Sequence, residues 1–433
     1  MINATSWKNC FIIGVRSQFY KWIGFFYFTG KCLGDLMSIV KLKVNTKAVK
    51  SIKAGYPLIK KDSILNVKDL HEEGTIVELV DERGAFLAKG YYGQQNKGIG
   101  WVLSKQQQEN IDQLFFEKKL KDAIKHRGAL FNSPDTTAFR VFNGEGDGIG
   151  GLTIDYFDGY YLINWYSEGI YTFKEVIVNA LKNIADFKGI YEKKRFAEQG
   201  TYIEDDDFIA GELAPYPLIV KENGMNFAVY LNESAMVGVF LDQREVRKTI
   251  RDKYAKGKNV LNTFSYTGAF SVAAALGGAT KTTSVDVANR SKSKTIEQFS
   301  INGIDFEAQD IIVDDVFQFF KYAGRKGLTY DLVILDPPSY ARSKKNTFSA
   351  GKDYPNLLAE AIQITEKNGV IVASTNSSAF GMEKFKGFIE KAFKQTGDKY
   401  KILEEFRLPS DFKTIKEFQE GNYLKVVFIK KLS

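Results

Sequence analysis

From about residue 260 onward the chain alternates between apolar runs of strand length and longer amphipathic stretches. Val260, Leu261, Asn262 and Thr263 read as a buried strand, Phe264, Ser265, Tyr266, Thr267 and Gly268 as a tight polar turn, and 271–276 as a small-residue helix. A second strand, 283–286, ends in the carboxylate of Asp286, and later apolar runs at 311–313, 332–335, 369–374 and 423–429 continue the rhythm. Short apolar runs separated by helix-length segments predict an α/β domain with a largely parallel sheet and helices on its faces. A helix is expected to start at Asp242-Gln243-Arg244, with Asp242 as its N-cap.

The first half carries a different pattern. Residues 39–103 show short alternating segments with glycine-rich turns, such as 75–80 and 86–92, which predict a small β-barrel. Residues 110–127 read as a helix with Ile111, Leu114, Phe115 and Leu120 on one face, followed by a glycine-dense turn within 139–155, a strand at 160–165 and an amphipathic helix at 173–184. The glycine cluster is followed by no Lys-Ser/Thr and no helix start, so it reads as a structural turn and not a phosphate loop. The expected domains are 37–110 (barrel), 111–212 (α+β) and 213–433 (α/β).

Residues 1–36 stand apart. The segment is aromatic-rich but broken by Lys8, Arg16 and Lys21, too interrupted to span a bilayer comfortably and poor as a signal peptide. The expectation is that Met37 is the natural start and 1–36 an extension foreign to the native protein; a membrane anchor is the alternative.

Composition narrows the classes further. At 433 residues two or three domains are expected, and a net charge of +8 with pI near 9.0 makes a polyanionic partner plausible. Lys47, Lys50, Lys53, Lys60 and Lys61 gather around Tyr56 at the start of the barrel, a grouping suited to a phosphate backbone or to a solvated face. The only cysteines are Cys10 and Cys32 and the only histidines His71 and His126. That excludes a disulfide framework, a familiar Cys/His metal site and a histidine-based triad; a cytoplasmic protein without bound metal or membrane span is expected, and a homodimer is left open.

The chemistry concentrates where strands end. A carboxylate closing the second strand, here Asp286, is placed to accept from ribose hydroxyls at the carboxyl edge of such a sheet. A further strand ends in Asp336-Pro337-Pro338, which aims a rigid acidic turn at the same crevice. No full G-x-G-x-x-G is present, which counts against a nicotinamide cofactor. Together these features indicate an S-adenosylmethionine-dependent methyltransferase with a Rossmann-like C-terminal domain.

The chain from Met37 onward also resembles the RlmI-like large-subunit ribosomal RNA methyltransferases. The residues carrying the likeness are 139–155, 211–213, 240–244, 261–268, 314–317, Asp336-Pro337-Pro338 and 420–425. The resemblance implies an N-terminal PUA module that binds RNA, a central α+β domain and a methyltransferase domain. It places Phe264, Ser265, Tyr266, Thr267 and Gly268 around the methionine part of the cofactor, Asp286 on the ribose and Asp315 by the adenine amine. Asp315 reads equally as a cap for a helix beginning at Val316. Asp336, Pro337 and Pro338 would line the meeting point of target base and methyl group.

The likeness breaks at one chemically decisive position. Members that make 5-methylcytosine add a cysteine thiolate to the ring first, because carbon 5 is a poor nucleophile. Here Asn376 stands in the cysteine's place, and no cysteine occurs between Met37 and Ser433. Direct transfer to a heteroatom of 23S ribosomal RNA or a large-subunit assembly intermediate follows, with guanine N7 preferred because it has a lone pair and no proton to lose. The resemblance extends to the RlmK-type domain, a 7-methylguanine enzyme without a catalytic cysteine. An exocyclic amine is the competing target, although Ser339 stands where that chemistry usually has an aromatic. A noncatalytic RNA-binding assembly factor is the rival of another class. Tyr340, Arg342, Lys344 and Lys345 are expected in a mobile loop facing the RNA, Tyr340 for stacking and the cations for phosphates.

Overall fold

The computed structural model describes residues 39–95, 98–196, 203, 207–233, 236–342 and 347–433. The reading of 1–36, with Cys10 and Cys32, lies outside the described residues.

The first sheet joins Val40–Lys43, Ile76–Val80, Phe86–Gln95, Gly98–Ser104 and Leu58–Ile59, in that spatial order. Val40–Lys43 runs parallel to Ile76–Val80 and the other pairs are antiparallel. Lys47, Lys50 and Lys53 belong to a helix, Thr46–Ala54, where alternation predicted strands. Asn45 starts it by accepting from the Ala48 N–H, and Ile52 alone is buried, so the lysines spread over its wet side.

The second sheet orders Phe208–Gly211, Gly189–Lys194, Tyr160–Trp165, Leu152–Phe157 and Ala138–Asn143. Helices Gln113–His126 and Lys174–Ile184 bury their apolar residues in the same cluster as these strands. The first helix begins at Gln113, because Asp112 accepts from the Phe115 N–H and fixes the register. Phe116, Leu120 and Ala123 then share the buried face at i, i+4, i+7 spacing, and Leu114, expected inside, is 71% exposed. The glycine-dense turn is a short 3₁₀ segment, Gly144–Gly146; a Cβ on Gly146 would lie 1.8 Å from the Lys413 carbonyl oxygen, so close backbone approach explains that glycine.

The two layers share one apolar core, in which Leu58, Tyr91 and Trp101 pack with Phe116, Phe142, Trp165 and Phe418. Tyr91 donates its hydroxyl to the Gly150 carbonyl at 2.8 Å, and Trp101 covers Gly150 so closely that a Cβ there would stand 2.1 Å from the indole.

The third sheet has seven strands, here β1 Asn259–Thr263, β2 Lys281–Asp286, β3 Asp310–Val313, β4 Tyr330–Leu335, β5 Thr365–Thr375, β6 Tyr400–Phe406 and β7 Lys425–Lys431. Their order is β3-β2-β1-β4-β5-β7-β6, with β7 antiparallel to both neighbours. Helices α1 Ala269–Leu276, α2 Asn289–Ser300, α3 Val316–Lys326, α4 Ala350–Gln363 and α5 Met382–Thr396 connect the strands. Register fixes the site: Thr263 pairs with Val285 and Leu335, and Leu335 with Ala373. The next residues, Phe264, Asp286, Asp336 and Ser374, therefore emerge together at the carboxyl edge.

A connection between β6 and β7 ties the third sheet to the second. Asp411, 1% exposed, takes a bidentate pair of hydrogen bonds from Arg244 at 2.7 and 3.1 Å and one from the Arg140 N–H, while its carbonyl accepts from Arg127. Among the described residues no helix is long and apolar enough to cross a membrane, and no group of three or more His, Cys, Asp or Glu is placed to hold a metal ion.

Candidate active site

A cavity of about 440 Å³ opens at the carboxyl ends of β1, β2 and β4. Phe264, Ser265, Tyr266 and Thr267 line it with Asp286, Asp315, Asp336, Pro337, Pro338 and Asn376, so the structure brings these sequence-predicted residues to one cleft.

The loop after β1 is bent by left-handed backbone at alternate positions: φ is +55° at Phe264, +51° at Tyr266 and +79° at Gly268. Non-glycine residues in this region carry strain of order 1–3 kcal/mol each, a cost that tends to mark ligand-holding segments. The surroundings hold the loop in place. The Tyr266 N–H donates to Asp286 at 2.8 Å, Thr267 donates to the Gly238 carbonyl at 2.7 Å, and a Cβ on Gly268 would lie 2.6 Å from the Thr295 methyl. Gly268 itself stands at the start of α1.

Asp286 accepts from Tyr266 N–H through one oxygen and from Ala288 N–H at 2.9 Å through the other, which fixes its plane and leaves a lone pair on each oxygen toward the cleft. Asp315 caps α3, its Oδ1 accepting from the Phe317 and Gln318 N–H groups at 2.9 and 3.3 Å. The capping alternative is therefore what the structure contains, and Asp315 lines the cleft as well. Phe317 and Phe348 add an apolar wall beside it. Paired acceptors, an aromatic wall and a strained polar loop match the hydroxyls, ring and amino-acid tail of an adenosine-based cofactor.

Asp336 stands half-buried at the centre. Gln243 Nε2 donates to its Oδ1 at 3.3 Å and to Ser374 Oγ at 2.9 Å. Desolvation raises the Asp336 carboxyl to about 6, the charge of Asp242 adds to the rise, and hydrogen bonding from Ser374 and Gln243 works against it. Asp242 does not cap a helix: it lies inside a 3₁₀ turn, Leu241–Gln243, and accepts from the Tyr423 hydroxyl at 3.0 Å. Burial raises its carboxyl too. Leu241 is buried while Phe240 lines the cleft at 43% exposure, and the α-helix starts only at Arg244.

Asn376 is exposed at the cleft mouth, and its Oδ1 accepts from Ser339 Oγ at 2.6 Å. Behind it Lys425, 1% exposed, donates to the carbonyls of Ser377, Phe380 and Tyr423 at 2.7, 3.0 and 2.6 Å. Tyr340 is 61% exposed and does not line the cleft. The expected loop begins as a short ribbon, Tyr340–Arg342 paired with Thr347–Ser349; Lys344 and Lys345 lie outside the described residues. Gln243, Asp242, Phe317, Ser374 and Lys425 were not foreseen as site residues. The stretches 240–244 and 420–425 had both stood out in the sequence, the first read as a helix start and the second given no role for Lys425.

The parallel sheet order and the acidic, loop-lined cleft at its carboxyl edge define a nucleoside-cofactor transferase. The chain belongs to the S-adenosylmethionine-dependent methyltransferase family, whose model matches residues 140–421, while a PUA-like domain matches 42–105. Within that family it is an RlmI-like member. It is 64% identical over 382 residues to YwbD of Bacillus subtilis strain 168, provisionally named a ribosomal RNA large subunit methyltransferase, covering 88% of this chain and 96% of the relative. It is 30% identical over 379 residues to ribosomal RNA large subunit methyltransferase I of Klebsiella pneumoniae subsp. pneumoniae, covering 87% and 94%. The crystal structure of SMU.776, provisionally a methyltransferase, in complex with SAH superposes with a TM-score of 0.83 at 39% identity, covering 90% of this chain and all of that one.

Proposed function

We propose that this methyltransferase acts on 23S ribosomal RNA and transfers its methyl group to guanine N7 directly, with no enzyme–RNA adduct. The observation that carries this reading is Asn376 at the cleft mouth, in a chain whose segment from Met37 to Ser433 holds no cysteine. An amide cannot add to a pyrimidine ring. With its Oδ1 engaged by Ser339, Asn376 keeps Nδ2–H as a donor suited to guanine O6 beside N7.

When bound, S-adenosylmethionine supplies an electrophilic methyl on a positively charged sulfur. The N7 lone pair forms the new bond, the carbon–sulfur bond breaks toward sulfur, and no proton leaves. The methylated purine is cationic, and the carboxylates of Asp336 and Asp242 favour positive charge developing there. Asp336 in its ionised form also accepts from the imino and amino edge of guanine, which orients the ring. In this reading Asp286 takes the ribose hydroxyls, Asp315 the adenine amine through Oδ2, and residues 264–268 the methionine part. Residues 37–110 act as an RNA-binding module, 111–212 as a central domain and 213–433 as the methyltransferase domain, with Tyr340, Arg342, Lys344 and Lys345 toward the RNA and the cytoplasm as the place of action.

Nucleoside mass spectrometry of ribosomal RNA with and without this gene tests the reading. Loss of 7-methylguanosine is expected; loss of 5-methylcytidine or of an N-methylated amine instead, or an unchanged profile, refutes it.

A further inference from the structure

A second cavity, of about 610 Å³, adjoins the cofactor cleft and shares Phe240, Asp242, Tyr266 and Asn376 with it. Its far wall comes from the first two sheets, through Gln95, Trp101, Glu145 and Gly151. Trp101 is 6% exposed and its Nε1–H has no acceptor; Gln95 Nε2 is likewise buried and unpartnered. Buried N–H groups without acceptors are costly and rare, and two on the wall of one cavity call for a ligand that accepts. Gly151 keeps this corner clear, since a Cβ there would stand 2.5 Å from the Tyr91 hydroxyl, 3.0 Å from Gln95 Nε2 and 3.5 Å from Trp101 Nε1.

The rest of the lining says what kind of ligand. Among the described residues the wall's two cations are both engaged, Arg140 by Asp155 at 2.5 Å and Asn143 at 2.7 Å and Arg195 by Asn164 at 2.9 Å, while Glu145, Asp155, Asp242 and Glu420 bring carboxyl groups, so the lining disfavours a phosphate. Burial raises the Glu145 carboxyl to about 7, with the charges of Asp147 and Glu420 adding to the rise. A neutral planar ring with acceptors on one edge and N–H groups on another suits donors at Trp101 and Gln95 and a carboxyl at Glu145.

We infer that this cavity takes the base of a second nucleotide, one flanking the nucleotide that is methylated, so that the RNA enters as a splayed single strand with two bases turned inward. The inference rests on RNA being the substrate. Asn376 and Tyr266, common to both cavities, mark where the strand passes from one to the other.

Trp101→Phe removes one N–H and keeps the ring's apolar bulk; Glu145→Gln removes the charge and keeps the shape. With in-vitro-transcribed 23S RNA and tritiated S-adenosylmethionine, each is expected to raise KM for RNA about five- to tenfold, with calorimetric affinity for S-adenosylmethionine unchanged. KM within about twofold of the parent in both variants, with cofactor affinity intact, overturns the inference. Should the parent chain fail to methylate the transcript, the proposed function falls, and titration of the S-adenosylhomocysteine-loaded chain with adenosine, cytidine, guanosine and uridine decides this one. Saturable quenching of indole emission that Trp101→Phe abolishes is expected; no saturable quenching by any of the four overturns it.

Discussion

Ser339 donates its hydroxyl to Asn376 Oδ1 across 2.6 Å and so joins the turn after β4 to the loop after β5. In the proposed reading the bond occupies Oδ1 and leaves Nδ2–H as the donor for the substrate. Asn376→Asp replaces the Nδ2 donor by an acceptor, and Asn376→Ala removes it. Either change is expected to lower kcat/KM by roughly 10- to 100-fold, the equivalent of about 1–3 kcal/mol. Ser339→Ala should cost less, because the amide can still rotate into place. Calorimetry with S-adenosylmethionine should show unchanged affinity in all three. Full activity of Asn376→Ala would remove this side chain from base recognition.

The acid limb of the pH profile should belong to Asp336. Its carboxyl is raised to about 6, so the accepting, ionised form is lost as pH falls through that value and turnover should fall with it. Asp336→Ala should abolish transfer while cofactor binding persists. The same shift has a stability consequence. The native state holds this proton more tightly than the unfolded chain, so charge burial is unfavourable above about pH 6 and is relieved below it. Asp336→Asn should therefore raise Tm at pH 8 more than at pH 5. An equal change at both would contradict the assignment.

An alkaline limb is expected from Lys425. Burial lowers its ammonium to about 8, and three carbonyl oxygens use its three protons. Deprotonation leaves one carbonyl without a donor and loosens the loop that carries Asn376. Turnover should fall above about pH 8, and Lys425→Met should lower kcat at every pH with S-adenosylmethionine affinity kept. Stability runs the other way: the native state binds this proton less tightly than the unfolded chain, so its contribution improves as pH rises through about 8. A Lys425→Met variant with the parent's alkaline limb would refute the link.

Gly268→Ala should damage the loop proposed to hold the cofactor. The new methyl would meet Thr295 at 2.6 Å on a backbone held at φ +79°. A loss of about 1–3 kcal/mol in stability is expected, with a weaker calorimetric affinity for S-adenosylmethionine. Pairing it with Thr295→Ser, which removes the offending methyl, should restore part of both.

Much of this arrangement was legible in the chain. Asp336 stands out because Leu332 to Leu335 is an unbroken apolar run, whereas Asp286 ends a strand of Thr282, Thr283 and Ser284 and is legible from its distance after the turn at Phe264 to Gly268. Among the helices after β1, 271–276 and the start at Val316 were legible by residue, and the others only as intervals between strands. Asp242 misled because an acidic residue before Arg244 looks like a cap, whereas it lies within a 3₁₀ turn and its carboxylate accepts from the distant Tyr423 hydroxyl. Leu114 misled because, at about 100° per residue, it falls on the face opposite Phe116, Leu120 and Ala123. The roles of Gln243 and Lys425 depend on partners 93 and 48 residues away, Asp336 and Ser377, and no local pattern encodes such pairings.

Trp101 seated on Gly150, with Tyr91 bonded beside it, fastens the lysine-bearing barrel to the body of the enzyme. The barrel is therefore a fixed jaw and not a swinging arm. If RNA lies across barrel and body, as proposed, the barrel's span to the methyl-accepting point would work as a calliper. Transcripts would be sorted by whether their own folded contour bridges that gap, before any base edge is inspected.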